Sequence, residues 1–324
     1  MKNVKSFDIT AVGECLIDLS ASASGDGLSV DLKGNPGGAP ANVLAAASRL
    51  GMKTAFAGKV GSDIFAEVLR RTLVSCGIDT SGLICGREPT TLAVVSLDEA
   101  GERSFSFYRE HTADVMLSAD EVDMELITDT RIFHFGSVSL TAEPSASATL
   151  AAAKEAKKAG ARISFDPNLR PLLWRDLSLA KEQILLGMET ADFVKVSEEE
   201  LYFCVGGSDP KRAAEKLMDE KGLKLLAVTM GAKGCLCMTR DKAVIREGYK
   251  VICKDSTGAG DAFWGTVLAY MVSRNTYPED LTKEGLEELA AAANAAGALA
   301  VQKQGAIPAM PYPSDITQLC GTVF

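Results

Sequence analysis

Residues 132–166, IFHFGSVSLTAEPSASATLAAAKEAKKAGARISFD, decide the fold of this chain. The stretch begins and ends with short apolar runs, IFHFG (132–136) and RISFD (162–166), of the kind that forms buried strands. Between them, the alanine-rich segment 145–159 repeats its apolar positions about every 3.6 residues, as an amphipathic helix does. A strand, a helix and a second strand in this order predict a βαβ unit with two parallel strands.

The same alternation continues on both sides of this unit. Four further apolar runs predict strands: FDITAV (7–12), TAFAGKV (54–60), DFVKV (192–196) and LLAVT (225–229). Six further segments with helical periodicity predict helices: 39–50, 63–75, 177–190, 211–221, 258–273 and 284–303. Alternating strands and helices predict an α/β fold, with a doubly wound, mostly parallel sheet flanked by helices.

Two stretches depart from this pattern. Residues 14–34 and 90–112 alternate polar and apolar positions around glycine-containing turns, which is typical of hairpin strands. Strands inserted at these two places would form a small antiparallel sheet, a lid over the C-terminal edge of the main sheet, where α/β proteins bind ligands. The chain contains no internal repeat and no low-complexity linker, so we expect a single domain over residues 1–324.

Composition and charge exclude several classes of partner. The chain has 324 residues, and its 34 basic and 43 acidic side chains give a net charge of −9 at pH 7, which disfavours binding to nucleic acid. No run approaches the roughly 18 apolar residues that cross a bilayer, and MKNVKSFDIT at the N-terminus lacks the apolar core of a signal peptide. We therefore expect a cytoplasmic protein without a membrane partner, whose eight cysteines are free thiols.

Several common catalytic motifs are missing from the sequence. Two histidines, His111 and His134, are too few for zinc or triad chemistry, and His134 lies within an apolar strand and is expected in the core. The Gly58-Lys59 pair has neither the upstream glycine nor the following Ser or Thr of a P-loop. If the chain binds a phosphate group, it therefore does so with a loop other than a P-loop.

The motif with the clearest chemistry is DSTGAGDAF (255–263), directly before a helical segment. Gly258 and Gly260, separated by Ala259, allow backbone N–H groups to approach an anion at a helix N-terminus. Asp261 would repel a phosphate, so we interpret it as a base that accepts the proton of a hydroxyl attacking a phosphoryl group. The alternative is a glycine-rich turn in which Asp261 only caps the helix.

A second motif, NPGGAPAN (35–42), opens the first predicted helix. Gly37 and Gly38 permit a close backbone approach, Pro40 suits the first helical turn, and Asn42 offers one acceptor and two donors. This combination favours recognition of a neutral polyol. The alternative is a common glycine turn before a helix.

Together the two motifs resemble the paired signatures of the ribokinase-like sugar kinases, the phosphofructokinase-B family. The resemblance covers essentially the whole chain and extends to further matches: GECLID (13–18), FSFYR (105–109), DPNLR (166–170), TMGAKG (229–234) and residues 294–306. Within the family the combination is most similar to the fructokinases. The resemblance implies a ribokinase-like fold with a β lid, and transfer of phosphate from ATP to a primary hydroxyl of fructose.

The resemblance also implies roles for individual residues. Asp261 would be the catalytic base, with an anion hole for the transferred phosphate formed by Gly258, Ala259 and Gly260. The sugar would be bound by Asp18, Gly37, Gly38 and Asn42. The nucleotide would be bound by Lys195, Thr229, Gly231, Gly234 and, near the adenine, Asn294.

The same resemblance implies metal ions, and the pattern of the lid strands suggests a partner. Glu200 would hold Mg²⁺ through water, although its segment also fits a solvated helix start, and Ser197 stands where the family often has Asn. A monovalent cation such as K⁺ would be bound by Asp255, Thr257 and carbonyl groups near Ala300 and Gly305. Exposed apolar residues of the lid strands would pair in a homodimer.

Two arginines leave the substrate open. Arg109 and Arg170 end strand-like segments, where they could neutralise a transferring phosphate, clamp a substrate carboxylate, or form surface ion pairs. Fructokinases act on a neutral sugar, whereas the related 2-keto-3-deoxygluconate kinases act on an acidic one. The sequence therefore predicts a fructokinase, with another sugar or nucleoside kinase of the family, or a ligand-binding homologue without turnover, as alternatives.

Overall fold

The structure, a computed structural model, describes residues 5–23, 29–97 and 103–322. These residues form fourteen strands: β1 (Phe7–Val12), β2 (Leu16–Ala23), β3 (Val30–Gly37), β4 (Thr54–Val60), β5 (Ile78–Asp79), β6 (Leu83–Cys85), β7 (Leu92–Leu97), β8 (Arg103–Tyr108), β9 (Thr130–Gly136), β10 (Arg162–Asp166), β11 (Phe193–Ser197), β12 (Leu225–Thr229), β13 (Cys235–Thr239) and β14 (Ala243–Arg246). They also form ten α-helices: α1 (Ala39–Arg49), α2 (Ile64–Ser75), α3 (Met124–Thr128), α4 (Ser145–Lys158), α5 (Leu177–Thr190), α6 (Glu198–Val205), α7 (Pro210–Lys221), α8 (Ala259–Ser273), α9 (Lys283–Ala300) and α10 (Pro313–Cys320).

The large sheet has the order β14-β13-β12-β11-β10-β9-β1-β4-β5, and β6 pairs with the far end of β4. Strands β12 to β5 run parallel, while β13 and β14 form an antiparallel edge. The predicted α/β class with its mostly parallel, doubly wound sheet is confirmed. The chain builds the sheet in one direction from β1 to β4 and in the other from β9 to β12, and such a reversal opens a crevice at the carboxyl ends of the strands.

Helices cover both faces of this sheet. Leu44 of α1, Leu69 of α2, Trp264 of α8 and Leu289 of α9 share one apolar cluster, and the side chains of α3 to α7 share the other. Helix α8 is buried along nearly its whole length because it lies between α1 and α9. A Cβ at Gly265 would lie 2.6 Å from the carbonyl oxygen of Val43, so this glycine lets α1 and α8 pack closely.

The lid is a second sheet of four strands in the order β3-β2-β7-β8. Its two hairpins, β2–β3 and β7–β8, are antiparallel as predicted, and β2 pairs in parallel with β7 where the two insertions meet. The first hairpin continues to Gly37, three residues past the predicted boundary at residue 34. The turns of both hairpins, residues 24–28 and 98–102, lie outside the described residues.

One smaller expectation, that His134 belongs to the core, is confirmed. His134 is fully buried, and its Nδ1 lies 2.9 Å from the Ser164 hydroxyl, so it is a core residue. Across the three described ranges, no helix has the length and apolar character needed to cross a bilayer.

Candidate active site

The predicted anion cradle, residues 258–260, lies at the first turn of helix α8. Its N-cap Gly258 has φ of 77° and no side chain caps the helix, so the first N–H groups lack partners within the helix. A Cβ at Gly258 would lie 2.8 Å from the Ala306 Cβ, and one at Gly260 would lie 2.9 Å from the Lys195 ammonium nitrogen. Gly258 is therefore required by its backbone conformation and by Ala306, while Gly260 packs against the Lys195 ammonium group, which lies next to the cradle.

Asp261 lies in the same helical turn and is almost fully buried. Its Oδ2 accepts a hydrogen bond of 2.8 Å from Nδ2 of Asn42, which lies on α1. Burial and the charge of Asp166 raise the pKa of Asp261 to about 6, against the opposing effects of Lys195 and its other partners. The carboxyl is thus ionised at neutral pH and is a stronger base than an exposed aspartate.

A buried ion pair lies next to this carboxyl. Lys195, on β11, places its Nζ 3.0 Å from Oδ2 of Asp166, the last residue of β10. Burial lowers the pKa of Lys195, but Asp166 and two further carboxylates outweigh it, and the pKa is raised above its usual value. The lysine is therefore a permanent cation at the cradle. In the sequence, Asp166 was noted only as the first residue of DPNLR (166–170), which resembles the family. Nothing in the sequence indicated its ion pair with Lys195.

The sugar-side candidates surround the same carboxyl. Asp18, on the lid strand β2, packs against Gly37, where a Cβ would collide with its Oδ2. Burial raises the pKa of Asp18 to about 6; Arg170 lowers it and the charge of Asp261 raises it, so these three charges belong to one site. Gly38 has φ of 114° and immediately precedes α1, which is the conformation that the glycine pair was expected to supply.

Asn42 joins the two motifs that the sequence singled out. Its side-chain nitrogen is bonded to Asp261, while its Oδ1 is buried and has no hydrogen-bond partner among the described residues. A buried polar atom without a partner is costly unless a ligand satisfies it. A hydroxyl group bound between Asn42 and Asp18 would supply that missing donor.

The predicted nucleotide residues lie along the next strands of the sheet. Thr229 ends β12, and the loop of Gly231 and Gly234 follows it, with Gly234 at φ of 107° packed against the carbonyl of Arg246. Asn294 on α9 donates at 3.2 Å to the carbonyls of Arg246 and Glu247. The same helix reaches the cradle, because a Cβ at Gly297 would lie 3.3 Å from the Ala259 carbonyl. The loop after β12 and helix α9 therefore lie on the side of the sheet that carries the segment 258–260.

Asp255 ties the segment before the cradle to the loop after α9. Its Oδ1 accepts from the amide (3.0 Å) and hydroxyl (2.7 Å) of Thr257, and its Oδ2 accepts from the Gly305 amide at 3.0 Å. The Ala300 carbonyl accepts from Lys303 within its own helix end. Carboxylate, hydroxyl and carbonyl oxygens suit a hard cation. Nowhere in the described part of the chain, this segment included, are three His, Cys, Asp or Glu side chains grouped to hold a metal ion.

Glu200 has a structural use that sequence analysis missed. Its Oε2 accepts from the Ser197 amide at 2.7 Å while the Ser197 hydroxyl accepts from the Glu200 amide, which is a capping box at the start of α6. Its Oε1 accepts from the Leu169 amide at 2.6 Å, and burial raises its pKa. The Ser-x-x-Glu spacing of residues 197–200 could have predicted this capping box.

The two arginines differ sharply. Arg170 is exposed, and its charge acts on both Asp18 and Asp261. Arg109 is buried, and its guanidinium donates hydrogen bonds to Asp114, Thr141 and the Val138 carbonyl, all within the protein.

Comparisons with known proteins identify the family of the chain. A family model described as pfkB family carbohydrate kinase matches residues 6–313. A probable chloroplastic fructokinase-6 of Arabidopsis thaliana is 44% identical over 308 residues, covering 94% of this chain and 79% of the relative. A fructokinase of Xylella fastidiosa with bound ATP superposes with a TM-score of 0.88 at 35% identity, covering 96% of this chain and 97% of that one. A double mutant of a Vibrio cholerae fructokinase, bound to fructose, ADP and a potassium ion, has a TM-score of 0.86 at 32% identity, covering 98% and 99%.

Proposed function

Because the chain belongs to the pfkB family of carbohydrate kinases, we propose that it is an ATP-dependent fructokinase in which Asp261 accepts the proton of a primary hydroxyl of fructose. The observation that carries this proposal is the 2.8 Å bond between Asn42 and Asp261. It joins two motifs 219 residues apart into one site, with sugar-binding groups on one side of the base and an anion cradle on the other.

The chemistry is an in-line displacement at phosphorus. The hydroxyl oxygen forms a bond to the γ-phosphorus of ATP, the bond from that phosphorus to the bridging oxygen breaks, ADP leaves, and the hydroxyl proton passes to Asp261. A positioned base contributes a factor of about 10² to 10⁴ to such a reaction. The amides of residues 258–260 and the Lys195 ammonium stabilise the negative charge on the migrating group.

The charges of the sugar pocket favour a neutral substrate. Asp18 and Asp261 both face it, and Arg170 is the cation that acts on both. The charge of Arg109 is already neutralised by Asp114 at 2.8 Å. The carboxylate of 2-keto-3-deoxygluconate would therefore meet two carboxylates and one arginine whose charge those carboxylates already share. The hydroxyls of fructose would find acceptors in Asp18 and in Asn42 Oδ1.

The nucleotide and its ions fit the remaining residues. ATP would lie along Lys195, Thr229, Gly231, Gly234 and Asn294. Mg²⁺ would neutralise the phosphates, and each Glu200 oxygen, which accepts one backbone amide, keeps a lone pair for a water on that ion. K⁺ would bind at Asp255, Thr257 and the carbonyls of Ala300 and Gly305, in keeping with the potassium ion in the Vibrio cholerae structure.

We further propose a homodimer through the lid. Val30 and Leu32 lie two residues apart on the edge strand β3, so they share one face, and they are 62% and 54% exposed. A second copy of the chain would cover this apolar edge. The cytoplasmic location remains a prediction, since one relative is named as chloroplastic.

A substrate panel tests the proposed function. ADP release is measured with fructose, ribose, 2-keto-3-deoxygluconate and nucleosides, each against a blank without acceptor that reports ATP hydrolysis alone. We expect the highest kcat/KM with fructose. A higher kcat/KM with the acidic sugar would overturn the substrate assignment, and turnover with none of them would support a ligand-binding homologue.

A further inference from the structure

Buried polar side chains gather where the lid leaves the rest of the chain. Glu14 precedes strand β2, Thr91 precedes β7, and Arg109 follows β8, with Thr112 and Asp114 a few residues further on. We name these five residues the lid-root cluster. All of them are at most 9% exposed, although the segments that connect sheets usually lie at the surface.

Arg109 is the centre of the lid-root cluster. Its Nε donates to Asp114 Oδ2 at 2.8 Å, its Nη1 to the Thr141 hydroxyl at 2.6 Å, and its Nη2 to the Val138 carbonyl at 3.0 Å. Val138 and Thr141 lie just after β9, so one guanidinium links the end of a lid strand to the main sheet. Its planar fork suits three fixed directions, which a lysine could not satisfy.

Asp114 extends the connection to the other lid strand. Its Oδ1 accepts from the hydroxyls of Thr112 (2.8 Å) and Thr91, and the Thr91 carbonyl accepts from the Ile17 amide on β2 at 3.2 Å. The Arg109 and Asp114 side chains are 5% and 2% exposed. A buried ion pair of this kind adds little to stability over apolar residues of the same size, so its value lies in fixing one arrangement.

Glu14 connects the cluster to the catalytic site. Its Oε1 accepts from the Ala39 amide at 2.9 Å, the first residue of α1, where the N-cap Gly38 supplies no side-chain cap. The charges of Arg109 and Asp114 both act on this carboxyl. Three residues after Ala39, the same helix carries Asn42, which is bonded to Asp261.

We propose that Arg109 and Asp114 are a positioning pair that fixes the root of the lid and, through Thr91 and strand β2 beside Glu14, the sugar side of the site, and that Arg109 is not itself a sugar ligand. The proposal rests on the proposed fructokinase activity. If the pair acts as a unit, losing either member has the same consequence as losing both.

A double-mutant cycle tests this unit. Arg109→Met, Asp114→Asn and the double variant are assayed for kcat and for the KM of fructose and of ATP, with Arg131→Met as the control, since Arg131 pairs with Asp8 at a half-exposed site. We expect a rise of about tenfold in the fructose KM in both single variants, with the double variant no worse than either, because a coupled pair is non-additive. The KM of ATP and the control variant stay within about twofold of the wild type.

Three results would overturn the proposal. A wild-type fructose KM in Asp114→Asn beside an impaired Arg109→Met would make Arg109 a direct ligand. Additive effects on the fructose KM in the double variant would show that Arg109 and Asp114 act independently. A lower Tm with unchanged kinetics would leave a merely structural pair.

Two further measurements keep the test decisive. If a single variant does not fold, Thr141→Val replaces it, because it removes one acceptor of Arg109; an unchanged fructose KM would then count against the proposal. Without any substrate, we expect backbone amides of lid strand β7 to exchange faster in Arg109→Met and Asp114→Asn than in the wild type, while the amides of β1 exchange at the same rate. Turnover of fructose by the wild type separately decides the proposed function. Failure of the positioning proposal can therefore be distinguished from failure of the proposed function.

Discussion

At the residue scale, the site is a balance of buried charge. Asp18, Asp166 and Asp261 share the cations Lys195 and Arg170. Because burial and the Asp166 charge disfavour the ionised form of Asp261, this carboxyl attracts a proton more strongly than an exposed aspartate. The same ion pair keeps Lys195 charged beneath the cradle, so base and anion site depend on one another.

A pH profile tests this balance. The pKa of Asp261 is raised to about 6, so below that pH the carboxyl is protonated and cannot accept the hydroxyl proton. We expect kcat/KM for fructose to be level near neutral pH and to fall as pH decreases through about 6. Asp18 has a pKa of about 6 as well, which steepens the fall. A profile that stays level down to about pH 5 would contradict these shifts.

Substitution at Gly258 separates backbone strain from loss of the cradle. Gly258→Ala places a methyl group against Ala306 at a residue with φ of 77°. Gly160→Ala places one at a residue with φ of 88°, where no other atom lies within 4 Å. We expect Gly160→Ala to lose about 1–2 kcal/mol of unfolding free energy, the usual cost of this conformation, and Gly258→Ala to lose more, because its methyl group also clashes with Ala306. Turnover should fall at least about tenfold only in Gly258→Ala, since only there is an anion site disturbed. Urea unfolding and fructose turnover check the pair; equal activity would count against the cradle.

Single residues could be selected as candidates from the sequence where glycine or an isolated carboxylate marked a special position. Gly258 stands out in the sequence because a glycine in a tight turn is a local property. Asp261 and Asn42 stand out because they lie at the start of predicted helices, which is also a local property. Asp114 and Glu14 could not be found this way, because their roles depend on partners brought together by the lid.

At the scale of elements, helix α6 holds the segment that carries Arg170. The Ser197–Glu200 capping box starts the helix, and the remaining Glu200 oxygen holds the Leu169 amide, next to Arg170. Anything that loosens the start of α6 therefore reaches the charges of the active site.

A comparison of two N-caps tests this connection. Ser197→Ala removes the hydroxyl that caps α6, and Asp209→Ala removes the carboxylate that accepts from the Arg212 amide at the start of α7. Both should lower the unfolding free energy by about 1 kcal/mol. Only Ser197→Ala should also reduce fructose turnover, because Asp209 is exposed and is no part of the site. If both variants keep wild-type turnover, α6 does not position active-site groups.

The elements themselves were largely predictable from periodicity. The runs at 7–12, 54–60, 162–166 and 225–229 match strands β1, β4, β10 and β12 residue for residue. Strand β14 (Ala243–Arg246) was not predicted, since it is short, mostly exposed and alternates imperfectly. Tertiary pairing with β13 defines it, and that pairing has no local signal.

At the scale of the whole molecule, the lid has an uncovered apolar edge. We expect light scattering after size-exclusion chromatography to give twice the mass of one chain, and Leu32→Glu with Val30→Glu to give the monomer. Charges at these exposed positions would disfavour pairing between two edges while leaving the core untouched. A monomeric wild type at micromolar concentration would remove the dimer.

The central claim is that Asp261 takes the proton while the turn before it holds the migrating phosphoryl group. The most direct test is the kcat for fructose of Asp261→Asn beside Glu199→Gln, a neutralised carboxylate at an exposed position outside the site. The account predicts a loss of about 10² to 10⁴ in kcat for Asp261→Asn and wild-type turnover for Glu199→Gln. Near-wild-type turnover in Asp261→Asn would contradict it.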